Sequence, residues 1–89
     1  MKFTDHVQLS DWNNQCLLTV RDFELHDFLD DFFTEQGLDT QIVRPLGDPG
    51  KYQLLFPTNI STATVYRFLE QIGQDEIDRI VRINQGQVS

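Results

Sequence analysis

The sequence predicts an α+β sandwich, with two amphipathic helices on one face of an antiparallel sheet. Three observations carry this reading. Leu25, Phe28, Leu29, Phe32 and Phe33 recur at i, i+3, i+4, i+7 and i+8, and Val65, Phe68, Leu69 and Ile72 repeat the same spacing. Short runs rich in β-branched and apolar residues flank both stripes and are bounded by turn formers. At 89 residues the chain has room for one domain and one core, with seven Phe, two Tyr and one Trp to fill it.

Each element has a local reason. Residues 2–10 alternate, with Phe3, Val7 and Leu9 on one side and Lys2, Thr4, His6 and Gln8 on the other, as in a half-exposed strand. Ser10-Asp11-Trp12-Asn13-Asn14 is a turn by composition. Residues 15–21 form a second strand whose apolar run (Cys16, Leu17, Leu18, Val20) suits a central position. Asp22 is placed to cap the first helix, Glu24 favours the positive end of its dipole, and Gly37 fits the left-handed position after it. Residues 39–46 read as a strand, and Pro45, which has no N–H to donate, makes it an edge. Asp48-Pro49-Gly50-Lys51 suits a type II turn into a returning strand over 51–56. Asn59 or Ser61 caps the second helix and Gly73 ends it. Residues 77–83 carry Ile77, Ile80, Val81 and Ile83 and read as a last strand, before a frayed polar tail over 85–89.

From residue 15 the order is strand, helix, strand, strand, helix, strand. This is the βαββαβ pattern of a ferredoxin-like sandwich, here with an additional N-terminal strand. The expected single domain therefore comprises that strand and turn (1–14), the βαββαβ core (15–84) and the tail (85–89). The first core strand should be central and the second an edge, in agreement with the apolar run at 16–20 and with Pro45. The N-terminal strand is expected at an outer edge, because pairing with residues 15–21 would take the place of the last strand.

The net charge is −7, and all of it falls in the first half. Ten acids and three bases precede Pro49; four acids and four bases follow. This disfavours direct binding to nucleic acid or to an anionic membrane, which attract basic patches. Cys16 is the only cysteine, so no internal disulfide forms, and it reads as a buried apolar strand residue. No apolar run reaches signal-peptide or membrane-span length, and a cytoplasmic location is expected.

The first helix carries the main functional signal. Glu24, Asp27, Asp31 and Glu35 follow steps of three and four, with Asp30 beside them and no Lys or Arg among them. Like charges at this spacing oppose the helix by a few tenths of a kcal/mol per pair. A solvated face accounts for them; a docking face for a basic partner gives them a role. Trp12, alone of its kind, is a candidate interface anchor or a lid over the core edge. No nucleophile–base pair, phosphate loop or cofactor motif is legible, and His6 and His26, read as surface residues, do not make a metal site. No catalytic, cofactor or metal residue is therefore assigned. Arg79 and Arg82 would fall on opposite sides of the last strand, where an exposed edge would let two copies associate.

The strand–helix order resembles small regulatory domains of the ACT type, which bind amino acids at dimer interfaces. The resemblance is topological: those domains carry a Gly in the loop after the first strand, whereas this loop is Arg21-Asp22-Phe23-Glu24. The leading expectation is a non-catalytic interaction or regulatory module that docks a basic protein through the acidic helix face. One alternative is an acidic inhibitor that mimics nucleic acid, which needs Asp5, Asp11 and Asp39 to join the helix acids. The other is an ACT-like small-ligand sensor.

Overall fold

Asn13 and Asn14 both adopt positive φ (52° and 66°), the backbone of a two-residue type I′ hairpin turn. The chain therefore reverses there, later than the predicted five-residue turn, and joins strand β1 (Val7–Trp12) to β2 (Gln15–Val20). The structure, a computed structural model, describes residues 1–86. The remaining elements are α1 (Phe23–Glu35), β3 (Gln41–Val43), β4 (Tyr52–Leu55), α2 (Thr62–Ile72) and α3 (Gln74–Gly86). The fold is α+β, with an antiparallel four-stranded sheet in the order β1-β2-β4-β3 and three helices.

β2 and β4 are the central strands, and β3 is the edge that Pro45 predicted. Residues 39–56 form the predicted hairpin, shorter in its first arm. Its turn is not type II. Lys51 N–H donates to the Asp48 carbonyl at 3.1 Å, but Gly50 keeps an ordinary φ, and the left-handed residue is Gly47 at φ 83°.

The predicted last strand is a helix. Ile77, Ile80 and Val81 lie at i, i+3 and i+4, so one stripe enters the core: Ile77 and Val81 are buried and Ile80 packs against them. Asp75 and Glu76 occupy the first turn, where the dipole favours acids. The β-branched content concealed this periodicity. The place beside β2 that a last strand would fill is held by β1, so residues 77–83 had no vacant ladder to join. Arg79 and Arg82 accordingly lie on a helix, and the edge association built on a last strand does not apply. Of the predicted tail, residues 85 and 86 belong to α3; residues 87–89 lie outside the described residues.

The core sits between the helices and one sheet face. In the β1–β2–β4 register Leu9, Leu18 and Leu54 are opposed and fully buried. Leu25, Leu29 and Phe33 of α1 cover them, and the Phe33 ring meets Phe56 edge-on, with centroids 4.9 Å apart. Val65 and Leu69 bring in α2. Each such side chain contributes roughly 1.5–3 kcal/mol of burial.

Candidate protein-docking face

Local chemistry fixes where α1 starts, stops and turns its faces. The Asp22 carboxylate accepts from Leu25 N–H at 2.9 Å, as an N-cap should. At the other end Gly37, at φ 82°, lets its own N–H reach Thr34 and that of Leu38 reach Phe33. Between these stops Leu25, Leu29 and Phe33 anchor one side. The opposite side presents Glu24, Asp27, Asp31 and Glu35 to solvent, with Asp30 half-buried on the flank. The predicted acidic face thus assembles as one surface.

The described ion pairs leave that surface alone. Lys2 pairs with Asp5 at 2.7 Å, Arg21 with Asp48 at 3.2 Å, and Arg79 with Glu76; His6 lies 3.8 Å from Asp78. Among the described residues none of the five α1 acids has a cationic partner within 4 Å. Lys2, Arg21 and Lys51 instead line a shared depression of about 430 Å³ at the β1–β2 end of the sheet. Three of the seven cations are thus gathered there, and among the described residues the acids of α1 form no ion pair.

Trp12 stands apart from this face. It ends β1 opposite Gln15 and is 53% exposed, so it is not a lid over the core edge. Alternation along β1 turns Val7, Leu9 and Asp11 toward the helices and Trp12 away from them. The two predicted contact features therefore lie on opposite sides of the sheet. Asp11, on the helix side, accepts from the Thr62 hydroxyl at 3.0 Å at the start of α2.

His26 is the residue that sequence inspection misplaced. It is buried, at 4% exposure, against the rings of Phe23 and Tyr52. Its Nε2 has no hydrogen-bond partner among the described residues. Burial holds its pKa below the ordinary 6.5; the charges of Asp30 and Asp27 oppose that shift and that of Arg44 adds to it. The signal was present: position 26 flanks Leu25, Leu29 and Phe33 on the inner arc of the helix. Phe28 is correspondingly displaced to a half-buried site.

Cys16 is buried, and burial is the main cause that pushes its thiol pKa up. Among the described residues no three His, Cys, Asp or Glu side chains converge as a metal site would require. No described helix is long and apolar enough to cross a membrane. Comparison with protein-family models, with curated proteins and with solved structures found no match.

Proposed function

We propose that this protein is a small, non-catalytic interaction module that docks a basic protein through the solvent face of α1. The observation that carries this reading is the uncompensated row Glu24, Asp27, Asp31 and Glu35, flanked by Asp30, in a chain whose described ion pairs use other acids. Such a row raises the encounter rate with a cationic surface and loses effect as salt screens it. The charge balance supports a protein partner over nucleic acid or a membrane, and the reading places the module in the cytoplasm. The segment from β2 to α2 is best regarded as a ferredoxin-like unit in which β1 takes the place of the last strand; the strand order supports this.

Nucleic-acid mimicry is the weaker reading. It needs carboxylates over a wide surface, yet Asp5 is paired with Lys2 and Asp11 is turned to Thr62. A small-ligand sensor would have the polar depression that Arg21 and Asp22 line at the β2–α1 loop, but Asp22 is committed there to the helix cap.

The test is affinity capture from the source cells at low and high salt, with the intact chain beside an Asp27→Lys, Asp31→Lys variant. The expected result is a basic protein retained at low salt by the intact chain and lost in both other arms. A partner retained equally by the variant refutes the docking face.

A further inference from the structure

The sheet has two edges, and they are not alike. The β1 edge is covered over Val7–Leu9 by the residues before it. Leu9 N–H donates to the Met1 carbonyl and the Met1 nitrogen donates to the Leu9 carbonyl, both at 2.6 Å. Lys2 bridges to Gln8, and Val7 N–H reaches the Thr4 carbonyl. Among the described residues β3 pairs with β4 only.

The ladder shows which groups β3 turns outward. Phe56 N–H donates to the Cys16 carbonyl, toward β2. By alternation Leu54 also faces β2, while Gln53 and Leu55 face β3. Their partners Val43 and Gln41 turn their N–H and C=O inward, and Ile42 turns both of its groups to the open edge. The Ile42 side chain opposes Leu54 on the helix side of the sheet and is 53% exposed. Nearby, Phe23, 50% exposed, meets the Tyr52 ring edge-on at 5.6 Å. An unpaired edge beside partly uncovered apolar side chains is a template for strand addition.

Charge selects the occupant. Asp27 and Asp30 lie on the α1 flank nearest this edge, close enough to act on buried His26, and Asp39 is exposed just before β3. Arg44, stacked over Tyr52 at 5.6 Å, is the cation there. A second copy joined β3 to β3 would set two such acidic helices side by side and meet repulsion between chains of net charge −7. A basic segment meets attraction.

We infer that the open edge of β3 accepts an extended basic–apolar segment of a partner protein as a fifth strand. Its side chains on the helix side, two residues apart, alternate in kind: apolar ones lie against Phe23, Ile42 and Tyr52, and cationic ones face Asp27 and Asp30. This rests on the docking reading above and adds the manner in which the partner is held.

The experiment is an amide-resolved NMR titration of the full chain with a synthetic Val–Lys peptide of repeat Val-Thr-Lys-Thr, which puts Val and Lys on one face of an extended strand. A Val–Glu peptide and a Val–Lys peptide N-methylated on alternate residues serve as comparisons. The Val–Lys peptide is expected to shift residues 41–43 together with residues 23–30, and the Val–Glu peptide neither. Ile42→Pro removes the outward N–H without touching the β4 ladder, so it should bind roughly three- to tenfold more weakly than Ile42→Ala, the effect of one net hydrogen bond. Equal binding by Ile42→Pro and Ile42→Ala overturns the strand addition. If Ile42→Pro does not fold by circular dichroism, the N-methylated peptide decides: binding equal to that of the unmethylated one overturns it. Shifts confined to the exposed α1 acids overturn the edge inference and leave the docking face standing. No shift anywhere defeats both.

Discussion

His26 on α1 lies against Tyr52 on β4, ring centroids 5.4 Å apart, with its Nε2 unpartnered among the described residues. Burial there disfavours the charged imidazole, on the helix that carries the acidic face.

A pH dependence follows. The folded-state pKa of His26 is below the ordinary 6.5, so the unfolded chain takes up a proton first as pH falls. Stability should drop as pH falls through about 6.5 and level off below the folded pKa. Asp5, Asp48 and Glu76, whose pKa values are lowered by Lys2, Arg21 and Arg79, titrate at lower pH and do not confuse this window. Urea unfolding from about pH 7 to about pH 5 measures the drop, and His26→Leu should flatten it. A slope unchanged by the substitution would place the effect elsewhere.

Core substitutions should separate residues that the helical stripe alone does not. Phe33→Ala removes a fully buried ring packed on Phe56 and should cost about 3–5 kcal/mol. Phe28→Ala removes a half-buried ring and should cost about 1–2 kcal/mol. Denaturant midpoints compare them directly, and equal losses would contradict the burial described for Phe28.

The α1 cap should be worth about 1 kcal/mol. Asp22→Ala removes the acceptor of Leu25 N–H and should lower stability by that amount, whereas Asp22→Ser should restore most of it. Thermal or urea unfolding of the pair distinguishes the cap from a general effect of charge.

The acids of α1 should oppose folding slightly. Asp27→Lys with Asp31→Lys relieves like-charge contacts and should raise stability by a few tenths of a kcal/mol at low salt, with the gain fading as salt rises. A loss of stability would mean that these carboxylates have a structural role.

Much of the architecture was legible because local chemistry and tertiary placement agreed. Asp22, Gly37 and Ser61 act where their side chains or φ demanded, and the apolar run of β2 did become central. The failures share one cause: a local signal with two readings, settled by a distant partner. Ile77, Ile80 and Val81 are β-branched and also helically spaced, and β1 had already taken the ladder beside β2. Gly50 followed Pro49 as in a type II turn, yet Gly47 takes the left-handed position. His26 is polar by type, but its position on α1 placed it under Phe23 and Tyr52. The acidic face was legible because spacing alone defines it. Its separation from Trp12 was not, since that depends on which side of the sheet the helices cover.

Docking of a partner on α1 is tested by carboxylate-to-lysine cross-linking of the captured complex. The expected links run from Glu24, Asp27, Asp31 and Glu35 to lysines of the partner. Links confined to Glu70, Asp75 and Glu76, with α1 unmodified, would contradict the docking face.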